Sequence, residues 1–106
     1  MRPMAERIQR DLALRDVAGM LRSFDYVAGA LTRDDPAQAD TVHTWSEQAR
    51  SSFIAGYEKT AFSDVHGPLL DALELDKAVY EAIYEARNRP DWLPIPLAAI
   101  NRLVVN

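Results

Sequence analysis

The chain has 106 residues, a net charge of −4 and no cysteine. A length of that order makes one domain, whose core buries somewhat under about two-thirds of the surface that the unfolded chain exposes. A composition 48% hydrophobic and 26% charged is that of a globular protein, and acidic residues spread among basic ones leave no electrostatic footprint for a phosphate backbone, so nucleic acid is not an expected partner.

Without cysteine there is no disulfide framework and no thiolate zinc site, which fits a reducing cytoplasm. The two histidines, His43 and His66, lack the spacing of a helical metal pair, and no metal site is expected in this chain. Met1 to Leu14 alternates charged with apolar residues, unlike a secretory leader. No window approaches the roughly 20 apolar residues that cross a bilayer, so neither a membrane nor export is expected.

From the N-terminus, residues 1–13 read as a lead-in loop, with Arg2 and Pro3 following no earlier element and the look of a piece cut from something longer. Asp11 is the expected N-cap of the first helix. Between Leu14 and Leu31, apolar Val17, Met20, Leu21, Phe24, Val27 and Ala28 recur every three or four residues, the pattern of an amphipathic helix. The run Thr32-Arg33-Asp34-Asp35-Pro36 is a turn closed by proline. A second helix is expected from about Ala37 to Tyr57, burying Val42, Trp45, Ala49, Phe53 and Gly56, so that 14–57 forms a helical hairpin.

Residues 58–68 are less regular, and Gly67-Pro68 marks a break. Leu69, Leu70 and Leu73 suggest a short turn leading into a long helix. In that helix Leu75, Ala78, Val79, Ala82, Ile83 and Ala86 form an apolar stripe, with Glu74, Lys77, Glu81, Tyr84 and Asn88 on the other side and Tyr80 at the boundary. Pro96 is well placed to open a last helix ending near Val104. No run reads as a strand. The predicted class is all-α, with about four to five helices.

No nucleophile and base pair is visible, and the four glycines never take the spacing that wraps a phosphate, so no catalytic residue is assigned and no cofactor site is expected in this segment. The strongest ligand candidate is the series Lys77, Tyr80 and Tyr84. A cation that hydrogen-bonds hydroxyls beside rings that cover C–H faces is how sugars are held, and i, i+3, i+7 spacing places all three on one helix face. The competing reading is a solvated face, and on the residues alone it is preferred, because exposed Lys is the norm. Arg87 and Arg89 close that helix as cations near its negative end, worth about 0.3–1 kcal/mol each.

Two blocks carry a family resemblance: LRDVAGMLRSFDYVAGAL (14–31) and LELDKAVYEAIYEARNRPDWLPIPLAAINRL (73–103). They resemble the C-terminal helical region of bacterial maltokinases, including the kinase part fused to trehalose synthase, within the aminoglycoside-phosphotransferase group of kinase-like folds. The match spans nearly the whole chain and is loosest over 32–67. The resemblance implies a share in an ATP- and magnesium-dependent conversion of maltose to maltose 1-phosphate, in α-glucan and trehalose metabolism. It also implies that this segment is the acceptor-side part of the kinase-like C-lobe, with Lys77, Tyr80, Tyr84 and Arg87 on the wall facing the sugar. The catalytic loop, the metal-holding aspartate and the adenine-binding lobe would come before this region in the family, so the chain alone is expected to be inactive. Its partners would be maltose or a similar sugar and the kinase portion or a trehalose synthase. Two other readings stay open: a non-catalytic helical interaction module, and part of a related kinase with another acceptor such as glucosamine.

Overall fold

The computed structural model describes residues 4–58 and 67–105, and among these every regular element is helical. Helix α1 spans Met4–Asp34, α2 Ala39–Glu58, α3 Pro68–Asn88 and α4 Pro94–Val105. Single 3₁₀ turns at Pro36–Gln38 and Pro90–Trp92 join α1 to α2 and α3 to α4.

The 31-residue α1 is the axis of the domain. At 1.5 Å per residue it measures about 46 Å, which accounts for the 48 Å long dimension of the molecule. Helices α2, α3 and α4 all pack on it, and α3 also packs on α4. The helix starts at Met4, so the expected lead-in loop over 1–13 is instead helical across its described part, and Asp11 lies mid-helix rather than at a cap. The run Ala5-Glu6-Arg7 through Ala13 has no Gly or Pro and is rich in strong helix formers, and propensity carries the helix on. Met4, Ile8 and Leu12 follow one another at four-residue steps on this stretch and stay more than half exposed.

The core forms where α1 meets its neighbours. Leu14, Val17, Ala18 and Leu21 are sealed together with Leu70 of α3, and Phe24, Phe53, Ile54, Tyr57 and Leu73 close around them. Phe24 meets Phe53 and Trp45 edge to face at 5.9 and 6.2 Å, the arrangement that aligns a ring's positive edge with its neighbour's negative face. Trp45, expected in the core, sits at its margin and is 41% exposed. Met20, Val27 and Leu31, expected on the buried stripe of α1, are exposed as well.

Proline and glycine set the ends of α3 and α4. Pro68 opens α3, where its missing N–H costs nothing, and Gly67 before it adopts φ 103°, a region that L side chains avoid. The expected short turn at Leu69 and the long helix are thus one element. Pro94, not Pro96, opens α4, and Pro96 is buried inside its first turn. At position 29 a glycine lets α4 close on α1, since a Cβ there would stand 2.5 Å from Ile95 Cδ1.

Candidate functional site

Helix α3 turns over the expected polarity of its faces. Glu74 and Glu85 are each 1% exposed, whereas Val79 and Ile83, expected to be buried, are 42% and 51% exposed. The cause is a set of arginines on the surrounding helices. Glu74 accepts a two-pronged pair from Arg50 of α2 at 3.0 and 3.1 Å and a bond from Arg102 of α4 at 2.7 Å, with Arg22 of α1 at 3.4 Å. Arg22 also donates from Nε to Glu81 at 2.8 Å and pairs with Asp25. Asp25 in turn takes Arg102 at 3.3 Å. Three guanidinium groups and three carboxylates therefore tie all four helices, and each buried charge is compensated, as a charge out of water must be.

The titration of these groups follows. Burial alone pushes the Glu74 carboxyl up, but the bonds and charge of Arg50, with Arg102 and Arg22, hold it below the ordinary carboxylate range. Burial prevails at Glu81, which is raised despite Arg22. A second cluster lies one turn on. Glu85 accepts two bonds at 2.8 Å from Arg89 and one at 2.7 Å from the Tyr26 hydroxyl, and chiefly through Arg89 its carboxyl is lowered. The Tyr26 phenol is raised by burial and by that bond. Arg89 and Arg33 both stand over the Trp92 ring, at 4.5 and 5.2 Å from its centroid, and fix the corner between α3 and α4.

Beside this ionic core, α1 and α3 frame a groove of about 540 Å³ lined by Gly19, Ser23 and Tyr26 from one helix and Asp76, Lys77, Tyr80 and Glu81 from the other, with Arg22 at its base. Its size is that of a small-ligand site. Lys77 is half-buried and the Tyr80 ring is 73% exposed. The structure therefore brings Lys77 and Tyr80 together on one wall. Tyr84 and Arg87 are not among the residues lining it: Tyr84 lies near Arg89, 6.0 Å from ring centroid to guanidinium, and Arg87 is exposed on the last turn of α3. His66 lies outside the described residues.

A larger concavity of about 580 Å³ opens between α1, α2 and α4, with Gly29, Val42, Ile95 and Ala98 in its walls and His43 among its lining residues. The smaller groove is the better candidate because Asp76 and Lys77 stand there beside an exposed ring, whereas the larger one is mostly apolar wall. Among the described residues no helix is long and apolar enough to cross a membrane, and no cluster of three metal-ligating side chains occurs. The carboxylates that do gather, Asp25, Glu74 and Glu81, are committed to guanidinium groups, and that donor set does not fit magnesium.

Sequence reasoning missed Arg22, Arg50, Glu74, Glu85 and Arg102. One signal was present: Arg22 follows Leu14 by eight residues and Ala18 by four, which places a cation on the buried face of α1.

No family model matches the chain. It is 31% identical over 107 aligned residues to a glucosamine kinase of Mycolicibacterium smegmatis, covering 96% of this chain and 27% of that protein. A glucosamine kinase of Streptacidiphilus jiangxiensis is 29% identical over 111 residues, again covering 96% of this chain and 25% of the relative. The chain thus spans about a quarter of the length of these curated relatives.

Proposed function

We propose that this chain supplies the sugar-facing helical wall of an ATP-dependent sugar kinase, with the groove between α1 and α3 holding part of the acceptor. The observation that carries the reading is the meeting of Lys77 and Tyr80 with Ser23, Tyr26 and Asp76 in one concavity of sugar size. Hydroxyl groups of a sugar find donors and acceptors there, and the open Tyr80 ring offers an apolar face to ring C–H groups. Similarity along nearly the whole chain to two proteins named glucosamine kinase supports the kinase assignment and makes glucosamine the first acceptor to test. Maltose, implied by the resemblance of the blocks at 14–31 and 73–103, is the second.

In this reading the chain binds and orients. Phosphoryl transfer needs a base to take the hydroxyl proton and magnesium to spread the phosphate charge, and the clustered carboxylates Asp25, Glu74 and Glu81 are engaged with arginines. Those groups belong to the kinase portion that such a wall would face.

The test is a titration of the isotope-labelled chain with glucosamine and with maltose, followed by amide NMR. Shifts centred on Gly19, Ser23, Lys77 and Tyr80 that saturate with one sugar support the proposal. Shifts scattered over α2 and α4, or none with either sugar, sink it.

A further inference from the structure

The apolar stripe that the fold turns outward on α3 has a regular spacing. Leu69, Ala72, Asp76, Val79, Ile83 and Ala86 follow one another at alternating steps of three and four residues, the spacing of a helical seam, and all six are exposed. Leu69, Val79 and Ile83 retain 40%, 42% and 51% of their surface in water. Helix α3 is covered by α1 and α4 on its other sides and makes no backbone-range contact with α2, so the stripe faces outward along the helix.

We infer that α3 is the two-fold interface of a homodimer, packed antiparallel against α3 of a second copy. Charge complementarity sets the occupant and the register. In an antiparallel pair related by a two-fold axis, residues on the same flank of the seam meet. Asp76 and Arg87 lie on one flank, eleven residues apart. Centring the axis near Glu81 and Ala82 sets Asp76 beside the partner's Arg87 and Val79 against the partner's Ile83, while the small Ala86 lets the backbones approach. The opposite charges fall together twice, once on each side of the axis. A parallel pair would instead set Asp76 against Asp76.

The interface does not depend on the sugar reading, but it bears on the same groove. Asp76 lines that groove, and Arg87, which its own fold leaves outside, enters from the partner subunit.

Sedimentation equilibrium of the 106-residue chain over a range of concentrations tests this. A reversible monomer to dimer equilibrium is expected. Ile83→Lys should weaken the dimer about tenfold or more while leaving the helical circular dichroism unchanged, the loss of one central contact. Asp76→Arg and Arg87→Asp should each weaken it a few-fold, and the two together should restore it. A chain that stays monomeric at every concentration overturns the inference, as does a dimer that Ile83→Lys leaves intact or that Leu12→Lys, on the exposed stripe of α1, dissolves. A charge-swapped pair no better than its single variants overturns the register.

Discussion

Arg50 and Glu74 form a two-pronged ion pair at 3.0 and 3.1 Å between α2 and α3, two helices with no backbone-range contact. The pair spans that gap, and Glu74 is so deeply sealed that water cannot take over for a lost partner.

Replacing Glu74 by Gln leaves Arg22, Arg50 and Arg102 facing one another across a neutral amide. Breaking one side of a buried ionic cluster costs about 3–5 kcal/mol, a large share of the roughly 5–15 kcal/mol that holds a domain of ordinary stability. Urea unfolding followed at 222 nm should show this loss for Glu74→Gln. The exchange Arg50→Met with Glu74→Leu, which removes charge from both sides, should cost less than Glu74→Gln alone. Equal losses would mean that the ion pair acts only through its volume.

Acid should unfold the protein from an identifiable source. The carboxyls of Glu74 and Glu85 are lowered in the folded state, so the unfolded chain binds protons more readily than the native one. The stability they contribute is full above the ordinary carboxylate pKa near 4.3 and drains away as pH falls through their lower native values. Glu81 is raised and has the opposite sign: its contribution is present below the unfolded pKa and fades as pH rises through its native one. Two lowered groups against one raised group give a melting temperature that drops below about pH 4. Thermal melts at stepped pH check this, and a melting temperature that climbs on acidification would contradict it.

Two glycines predict opposite signs. Nothing stands within 4 Å of a Cβ placed on Gly56, so Gly56→Ala in α2 should stabilise by about 0.5–1 kcal/mol through helix propensity. At Gly29 the added carbon meets both Cδ1 and Cγ1 of Ile95 at 2.5 and 2.6 Å. Forcing α4 off α1 should cost about 1–3 kcal/mol and exceed the propensity gain. Denaturant midpoints of the two variants measure the contrast.

Installed in place of the matching quarter of the Mycolicibacterium smegmatis relative, this chain should carry its groove with it. Lys77→Ala in that chimera should then raise KM for the sugar several-fold while leaving KM for ATP nearly unchanged, because a group that contacts only the acceptor contributes uniform binding to it. Equal effects on both substrates would remove Lys77 from the sugar wall.

The all-α class and the hairpin of α1 and α2 were legible in the sequence, because Val17, Leu21 and Phe24 repeat at helical spacing and Pro36 breaks the chain, whereas the first turns of α1 were read as a loop and the last helix was opened at Pro96 instead of Pro94. The sidedness of α3 was not. Hydrophobic periodicity assumes that apolar residues go inward, and here Arg22, Arg50 and Arg102 draw Glu74 in and turn Val79 and Ile83 out. A pattern within one helix cannot register a cation supplied from 24, 28 or 52 residues away. The same rotation explains the candidate site. Lys77 and Tyr80 flank the buried acidic face and so reach the groove, while Arg87 sits two and three turns further on, outside its walls.

The attachment of α2 has a kinetic consequence. Among the long helices this one packs at backbone range on α1 alone, and Arg50 carries its ion pair to Glu74 of α3. Its amides should therefore exchange with deuterium by swinging open as one unit, well before those of the α1 and α3 pair, whose exchange awaits global unfolding.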